Sequence, residues 1–188
     1  MKNIVVLISG NGSNLQAIID ACKQKKINGT IRAVFSNKAD AFGLERAREA
    51  NIPAHALEAS QFAGREAFDR ELVQEIDAYA PDVVVLAGYM RIVGDVLLGA
   101  YGGRIINIHP SLLPAFRGAH AIEQALEYGV KVFGVTIHYV NGELDGGRII
   151  AQRAFEYLGS DPEELEARVH AVEHPLYVET VAKLVAEQ

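Results

Sequence analysis

The residues of this chain best suited to chemistry are an amide, an imidazole and a carboxylate, at Asn107, His109 and Asp145. Asn107 and His109 stand two positions apart at the end of an apolar run, so in a strand both side chains project from one face. Asp145 lies in a Leu-Asp-Gly-Gly turn that can bend toward the imidazole, and a nearby carboxylate favours the protonated ring. A cationic ring and a neutral amide are complementary to an oxyanion. The spacing therefore predicts acyl transfer through a tetrahedral intermediate.

Other roles for these three residues stay open on the sequence alone. Taken singly, His109 could be a packed core histidine, Asn107 a turn former and Asp145 a turn acid. No protein nucleophile is evident, because Ser111 lacks the strand-to-helix elbow of the G-x-S-x-G type. The attacking group is therefore expected on a substrate.

Metal binding is the main competing hypothesis, since the chain has 6 histidines, which are His55, His109, His120, His138, His170 and His174. Only His170 and His174 have the i, i+4 spacing of an H-E-x-x-H helix, and no glutamate stands where that motif needs one. We therefore predict no metal. His138 lies on a predicted strand in the same alternation as Thr136, which places it either beside the site or in a structural hydrogen bond.

A second candidate site is the loop Ser-Gly-Asn-Gly-Ser-Asn at residues 9–14, which follows the first apolar run and opens a helix. Glycines let an anion approach the backbone, and free amides at a helix start favour negative charge. The loop could instead be a tight turn without a ligand, or part of a nicotinamide-dependent dehydrogenase. Leu15 replaces the third glycine of the dinucleotide motif, however, and the second strand ends in Ser-Asn-Lys without an acid for a ribose. A phosphate monoester is the favoured ligand.

The elements that must position these residues follow from the apolar periodicity. Four short apolar runs have the composition of strands covered on both faces, at residues 4–8, 31–35, 83–87 and 105–108. Helical patterns separate the first three, and two further runs at 132–140 and 148–155 are joined too closely for a crossover helix. The pattern predicts an α/β fold with a Rossmann-like, mostly parallel twisted sheet, helices on both faces, an antiparallel strand pair in the C-terminal part and a long C-terminal helix.

The start of that last helix has a recognisable signature. Asp161 should cap it, Pro162 should take the first helical position, and Glu164 should complete a capping box. Pro175 is expected to kink or break the helix.

Length and composition limit the class of protein. With 188 residues the chain is expected to form a single domain, 1–188. A net charge of −6 argues against a nucleic-acid partner. The single cysteine, Cys22, excludes an internal disulfide and fits a reducing cytoplasm. The first residues run directly into a strand without a signal peptide, and no apolar run approaches ~20 residues, so no membrane segment is expected.

Several segments together resemble the folate-dependent formyltransferase family. Asn-Ile-His-Pro-Ser-Leu-Leu-Pro at 107–114 resembles the wider family, and the loop at 9–14 resembles its glycinamide ribonucleotide branch. Segments 86–92, 143–147 and Glu173-His174 extend the likeness over essentially the whole chain. The Phe-Arg-Gly at 116–118 differs from the usual Phe-Pro-Gly and is similar to methionyl-tRNA formyltransferase, whose additional domain a chain of this length is not expected to hold.

The resemblance implies a role for each matching position. The catalytic residues would be Asn107, His109 and Asp145. The ribonucleotide would be bound by Gly12, Ser13, Asn14 and Glu173. The folate would be bound by Arg65, Met90, Arg91, Ile92, Val93 and Asn107, with the loop 140–145 closing the other side. Residues 1–100 would form the ribonucleotide half and 101–188 the catalytic and folate half. The family also implies a cis peptide at Leu113-Pro114.

The implied activity is transfer of a formyl group from 10-formyltetrahydrofolate, as co-substrate, to the amine of glycinamide ribonucleotide. The expected partners are small-molecule substrates, with no nucleic acid and no membrane, and the expected state is a monomer or weak homodimer in the cytoplasm. A formyltetrahydrofolate hydrolase or another formyltransferase of the same superfamily is the nearest alternative. A dehydrogenase or a non-catalytic nucleotide-binding module is the alternative from a different class.

Overall fold

The computed structural model describes residues 1–187 and contains one seven-stranded sheet. The strands are β1 (Lys2–Ile8), β2 (Gly29–Ser36), β3 (Ala54–Ala56), β4 (Val83–Leu86), β5 (Ile105–His109), β6 (Val132–Tyr139) and β7 (Ile149–Glu156). Their order in the sheet is β3-β2-β1-β4-β5-β6-β7. The pairs among β1 to β5 are parallel, whereas β6 runs antiparallel to both β5 and β7. The predicted fold class is confirmed.

Helices cover both faces of the sheet. They are α1 (Ser13–Lys23), α2 (Phe42–Glu49), α3 (Arg65–Asp77), α4 (Asp95–Tyr101), α5 (Ala121–Tyr128) and α6 (Pro162–Ala186), with a short 3-10 turn at Ala59–Gln61. Residues of α1, α2, α5 and α6 join one apolar cluster, and residues of α3 and α4 join the other. β1 lies between the two clusters, because Val6 faces the first and Leu7 the second, and both are fully buried. Burial of each such side chain stabilises the fold by roughly 1.5–3 kcal/mol.

The strand order creates a crevice where ligands are expected. The chain passes from β1 to β2 and β3 on one side, and then places β4 and β5 on the other side of β1. At such a switch point the connecting loops diverge, which leaves a cleft at the carboxyl ends of the strands. The loop after β1, the segment after β4 and the end of β5 all lie at this edge.

α6 differs in two details from its prediction. Asp161 caps the helix by accepting the amides of Glu163 and Glu164, as predicted. In a full capping box the Glu164 side chain would accept the Asp161 amide, and this part of the prediction is wrong. The Asp161 amide donates instead to the Tyr157 hydroxyl, which in turn donates to Glu164. The predicted break at Pro175 is also wrong, since α6 continues through it. The proline is exposed while Leu176 and Tyr177 beyond it pack in the core, and this burial outweighs a proline cost of roughly 3 kcal/mol.

Three elements have no counterpart in the sequence prediction, namely β3, α4 and α5. β3 has 3 residues at the sheet edge, and α4 and α5 have 7 and 8 residues. Both short helices begin without a side-chain cap, at Gly94 and at His120, so the usual start signal is missing. Among residues 1–187, no helix combines the length and apolar character needed to cross a bilayer.

Candidate active site

β5 and β6 carry four polar side chains on one face of the sheet. In the antiparallel register, Asn107 lies opposite His138, and His109 lies opposite Thr136. Directly opposed residues share a face, so the predicted alternation of Asn107 and His109 brings two further polar groups beside them. His109, His138 and Thr136 are buried, while Asn107 is half-buried. The strand pair thus forms a polar floor inside an apolar sheet.

His109 is held between two hydrogen-bond acceptors. Its Nδ1 lies 3.5 Å from Asp145 Oδ2, and its Nε2 lies 2.8 Å from the carbonyl oxygen of Phe116. A ring with an acceptor at each nitrogen is best satisfied when both nitrogens carry a proton. The predicted pair of His109 and Asp145 is therefore in place, and the Phe116 carbonyl is a partner that the sequence analysis missed.

Asp145 is fixed by its backbone as well as by its neighbours. It has a left-handed backbone with φ 50°, and its Oδ2 accepts the Gly118 amide at 2.8 Å. At Gly147 an added Cβ would lie 1.6 Å from the Tyr139 carbonyl oxygen, so the turn approaches β6 at a distance that only glycine allows. The carboxylate side chain is 9% exposed. These contacts hold one oxygen of Asp145 toward His109.

The other oxygen of Asp145 faces a second imidazole. His138 Nε2 lies 3.8 Å from Asp145 Oδ1, while His138 Nδ1 lies 2.9 Å from the Tyr139 carbonyl oxygen. Burial lowers the pKa of His138, so the ring is neutral and donates from Nδ1. Nε2 is then an acceptor, buried and without a hydrogen-bond partner among residues 1–187. Two acceptors that face each other at this distance suit a proton-bearing group between them.

The loop that follows β5 is anchored from β6. Thr136 Oγ1 donates to the Ser111 carbonyl at 2.7 Å and accepts the Leu113 amide at 3.0 Å. The peptide Leu113-Pro114 is cis, as predicted. The Ser111 hydroxyl donates to the Ala115 carbonyl, which fits the prediction that it is not a nucleophile.

The loop at 9–14 has the geometry of an anion site, although its glycine also has a packing role. Gly12 has φ 77°, and an added Cβ would lie 2.8 Å from the Gly43 Cα of α2. Among residues 1–187 no side chain caps α1, so the amides of its first turn are left for a ligand. Arg46 donates to the carbonyl and to the side-chain oxygen of Asn11, at 2.8 and 2.7 Å, and so holds the loop.

α1 and α6 bring the other predicted ribonucleotide residues together. Asn14 Nδ2 donates to Glu173 Oε2 at 3.2 Å, and His174 Nε2 lies 3.2 Å from Ser13 Oγ. His170 Nδ1 lies 3.0 Å from the same Glu173 oxygen. The hydrogen bond with Glu173 raises the pKa of His170, whereas burial lowers the pKa of His174. The sequence analysis gave neither histidine a role here, although Glu173-His174 stood in the family motif.

Two of the predicted folate residues are in direct contact beyond β4. Arg65, at the start of α3, donates to the Ile92 carbonyl at 2.9 Å, and the Arg91 guanidinium lies 4.3 Å from the centre of the Phe68 ring. Asp69 is buried beneath them, and this burial raises the pKa of its carboxyl against the opposing charges of the two arginines. The segment is thus tied to α3.

Large apolar side chains stand exposed on both sides of this segment. Met90 is 76% exposed and Ile92 is 66% exposed, and Leu144 on the loop before Asp145 is 58% exposed. Val93 and Val140 pack against the same core cluster below them. Exposed apolar side chains that are grouped in this way are typical of a ligand contact.

One hydroxyl joins the two candidate half-sites. Ser9, at the end of β1, donates to Asn37 Oδ1 beyond β2 and accepts the Met90 amide beyond β4 at 2.7 Å. The sequence analysis placed Ser9 only at the start of the phosphate loop. Its position at the switch point of the sheet shows that it holds three connecting loops together.

The remaining reactive groups lie elsewhere. His55 Nε2 lies 2.6 Å from the Tyr79 hydroxyl and its ring stacks on Phe35, while His120 pairs with Glu123 on the surface. Burial raises the pKa of the Cys22 thiol to about 11, so very little of it is in the reactive thiolate form at neutral pH.

Comparison with known proteins agrees with this arrangement. Residues 2–181 match the profile of a family described as formyl transferase. The chain is 61% identical over 176 residues to phosphoribosylglycinamide formyltransferase of Escherichia coli strain K12, covering 93% of this chain and 83% of that protein. Glycinamide ribonucleotide transformylase 1 from Symbiobacterium toebii superposes with a TM-score of 0.97 at 48% identity, covering 99% of this chain and 88% of the other. Phosphoribosylglycinamide formyltransferase from Bacillus halodurans gives a TM-score of 0.95 at 46% identity, covering 99% and 96%. The chain belongs to the formyl transferase family and, within it, to the phosphoribosylglycinamide formyltransferases.

Proposed function

We propose that the protein transfers the formyl group of 10-formyltetrahydrofolate to the amine of glycinamide ribonucleotide, a step of purine synthesis. The observation that carries the proposal is the arrangement around His109. The ring lies between Asp145 and the Phe116 carbonyl, beside the Asn107 amide, at the sheet edge that also holds the anion loop. Such a floor stabilises an oxyanion, and family membership favours formyl transfer over a dehydrogenase.

In this proposal the ribonucleotide occupies the cleft between the anion loop and α6. The phosphate accepts from Gly12, Ser13 and Asn14, where the first amides of α1 are uncapped. Glu173 binds the ribose hydroxyls. Asn14 Oδ1 supports this placement, because it is a buried acceptor without a hydrogen-bond partner among residues 1–187 and a ribose hydroxyl could donate to it.

The folate is assigned to the segment beyond β4 and to the loop 140–145. Met90 and Ile92 supply exposed apolar side chains above the partly buried Val93, and Leu144 supplies another from the loop before Asp145. The guanidinium groups of Arg65 and Arg91 bring positive charge for the acidic part of a folate. Asn107 is the last of the proposed folate-binding residues, and its side chain would contact the formyl group. In this proposal the two half-sites do not follow the expected division at residue 100, because Arg65 and Met90–Val93 on the folate side precede it and Glu173 on the ribonucleotide side follows it.

The chemical step is a direct attack of the amine nitrogen on the formyl carbon. A carbon–nitrogen bond forms, and the carbonyl oxygen becomes an oxyanion. Both N–H groups of His109 already have acceptors, so the ring stabilises the oxyanion through its charge, while the Asn107 amide, which has no partner among residues 1–187, donates the hydrogen bond. Placing two substrates together supplies much of the remaining acceleration.

The intermediate collapses by breaking the bond between the formyl carbon and the folate nitrogen. The attacking amine must lose one proton and the departing nitrogen must gain one, so the two transfers balance. Asp145 Oδ1 and His138 Nε2 face each other at 3.8 Å and are both acceptors, which suits them to receive that proton and pass it on, directly or through water. No metal is assigned to this step, because the charge and the donors are supplied by side chains.

We also propose that the protein acts in the cytoplasm on small molecules, as a monomer or weak homodimer, without nucleic acid or membrane. A net charge of −6 supports the absence of a nucleic-acid partner, since the phosphates of nucleic acids are usually bound by a basic surface.

The deciding experiment incubates the protein with 10-formyltetrahydrofolate, with and without glycinamide ribonucleotide. Equal amounts of tetrahydrofolate and formylated ribonucleotide should appear only when both substrates are present. Release of tetrahydrofolate at the same rate without the ribonucleotide would establish the hydrolase instead. Binding of NADH but not of folate would support the dehydrogenase, and binding without turnover the nucleotide-binding module.

The assignment of the two half-sites has its own test. Ser13→Ala removes one donor to the phosphate, and a hydrogen bond to a charged group contributes about 1.5–3 kcal/mol. The ribonucleotide KM should rise at least about tenfold while the folate KM stays unchanged. A rise in the folate KM alone would show that the half-sites are reversed.

A further inference from the structure

A second cluster of metal-ligating groups lies on α6, apart from the polar floor. His170, Glu173 and His174 stand at i, i+3 and i+4, so their side chains project from one face of the helix. Each residue offers one ligand atom, and the three atoms lie within 4.8 Å of one another. The two imidazole rings are stacked, with centroids 6.1 Å apart. The helix thus presents two nitrogens and one carboxylate oxygen to a single point.

We propose that His170, Glu173 and His174 form a binding site for a divalent transition ion, for which Zn²⁺ is the best match. Two imidazoles and a carboxylate are a donor set that zinc takes, with a fourth position left for water. Bonds of about 2.0–2.2 Å in a tetrahedron separate ligand atoms by roughly 3.3–3.6 Å. His170 Nδ1 and Glu173 Oε2 are already 3.0 Å apart, so a small rotation of His174 closes the site.

The surroundings of the cluster support this assignment. His170 Nε2 lies 3.5 Å from Glu166 Oε1, which leaves Nδ1 for the ion and gives the other nitrogen the carboxylate partner that metal-bound histidines usually have. Glu173 is 6% exposed, and among residues 1–187 no lysine or arginine forms an ion pair with it. Its ion-pair partner in the described part of the chain is His170, whose ring is charged only when protonated, so the buried carboxylate gains from a permanent cation.

The site overlaps the place given to the ribose, so its effect on turnover rests on the proposed function. An ion held by Glu173 removes the carboxylate from the ribose hydroxyls, and an ion held by His174 draws that ring away from Ser13. Zn²⁺ and the ribonucleotide should therefore exclude one another. The reaction itself stays free of metal, and the ion acts as an inhibitor.

The chain contains its own matched control. His120 and Glu123 form the same i, i+3 pair, with His120 Nδ1 2.9 Å from Glu123 Oε2, on the exposed start of α5. Among residues 1–187, no third histidine, cysteine or carboxylate lies close enough to this pair to complete a metal site. His120→Asn keeps the left-handed backbone that His120 has, since asparagine adopts it readily.

The test titrates chelator-treated protein with ZnCl₂ in a calorimeter and with CoCl₂ by visible absorption. One ion per chain should bind, with the absorption of a low-symmetry cobalt site. His170→Gln and His174→Gln should each weaken Zn²⁺ binding by at least about tenfold, since even the loss of a group behind a ligand costs 10–100-fold. His120→Asn should bind as tightly as the parent, and MgCl₂ should give no heat because Mg²⁺ requires oxygen ligands. Unchanged melting temperatures would confirm that the variants are folded.

Besides a failure of the parent protein to bind Zn²⁺, two results would overturn the proposal. One is Zn²⁺ affinity that is unchanged in both α6 variants, and the other is an equal loss in His120→Asn. A final titration with glycinamide ribonucleotide present separates this proposal from the proposed function. If Zn²⁺ binds and the α6 variants weaken it, but the ribonucleotide does not compete, the metal site stands and the ribose assignment of Glu173 fails. If Zn²⁺ does not bind while formyl transfer is normal, the metal site alone fails.

Discussion

Two carboxylates in this molecule each lie between a pair of imidazole rings. Asp145 lies between His109 and His138 on the polar floor, and Glu173 contacts His170 and stands one residue before His174 on α6. Their side chains are almost equally buried, with 9% and 8% exposed. Composition and burial therefore do not distinguish the two clusters. Their different roles must come from the backbone elements and hydrogen bonds that position each carboxylate and its rings.

The supports of the two clusters differ in kind. Asp145 and its rings are brought together from two strands and a left-handed turn, and backbone groups of Phe116 and Gly118 fix which oxygen and which nitrogen face each other. The α6 cluster comes from one turn of a helix, and its rings are open to solvent on one side. Backbone contacts assign protons to particular atoms, which an oxyanion site needs. A helix face with adjustable rotamers is better suited to holding hydroxyls or an ion.

The isosteric change at Asp145 should have the largest effect. Asp145→Asn keeps the left-handed backbone but cannot stabilise a doubly protonated His109, so kcat should fall by roughly 10³–10⁴. The ribonucleotide Kd, measured by calorimetry, should stay within about twofold. Glu127→Gln on α5 is the control, because Glu127 is exposed and lies outside the polar floor and both proposed substrate sites. A fully active Asp145→Asn variant would remove the distinction between the two clusters.

Removal of the free amide on the polar floor should come next. Asn107→Ala deletes the proposed oxyanion donor, so kcat should fall by roughly 10²–10³. The folate KM should change less, since other groups bind most of that substrate. A variant that changed only the folate KM would make Asn107 a binding residue rather than a catalytic one. Steady-state kinetics with each substrate varied in turn separates the two outcomes.

The matching isosteric change on α6 should act on binding instead of rate. Glu173→Gln keeps a hydrogen-bonding shape but loses the charge, so the ribonucleotide KM should rise by about tenfold, as for a hydrogen bond to a charged group. We expect kcat at saturation to remain within about twofold of the parent. A drop in kcat as large as that of Asp145→Asn would show that the two carboxylates share one function.

The smallest expected effect concerns stability and pH, and it has opposite signs in the two clusters. Burial lowers the pKa of His138 below 6.5, so the unfolded chain binds a proton that the folded ring does not, and stability falls as the pH drops through 6.5. The slope from one such group is at most about 1.4 kcal/mol per pH unit. The hydrogen bond to Glu173 raises the pKa of His170. The contribution of this ring to folding stability is therefore complete below pH 6.5 and is lost as the pH rises through the raised pKa.

The melting temperatures of the parent and of the variants His138→Gln and His170→Gln, measured from about pH 5 to pH 8, test these two pH dependences of stability. His138→Gln should be less sensitive to acid than the parent, while His170→Gln should lose a stabilisation that is present only at the acid end. If both substitutions changed the dependence of melting temperature on pH in the same direction, either His138 would not be a neutral buried ring or His170 would not be paired with Glu173.

The sequence was sufficient for the elements that bury many side chains. β1 and β4 contain uninterrupted apolar runs, and β5 is apolar apart from Asn107 and His109; such runs are distinctive because both faces are covered. α4 and α5 were not predicted, since each buries only two of its side chains and so gives little apolar periodicity. Pro175 was wrong as a helix break because the tertiary burial of α6 outweighs a local cost.

The candidate site divides in a similar way. Strand alternation was enough to place Asn107 and His109 on one face, and the glycine turn at 144–147 was enough to single out Asp145 as the carboxylate partner. The Phe116 carbonyl and the Gly118 amide could not be predicted, because every residue carries such groups and only the folded loop selects two of them. His138 was left undecided for a related reason. Its contact with Asp145 depends on the register of β5 against β6, which the pattern of either strand does not determine.

The Ser9 hydroxyl has a thermodynamic consequence. Ser9 begins the anion loop, donates to Asn37 beyond β2 and accepts the Met90 amide on the folate side, so the anion loop and the folate segment cannot shift independently. A ligand that orders one loop reduces the entropy cost of ordering the second, and the resulting cooperativity must be reciprocal. Each substrate should therefore tighten the binding of the other by one common factor, whichever arrives first.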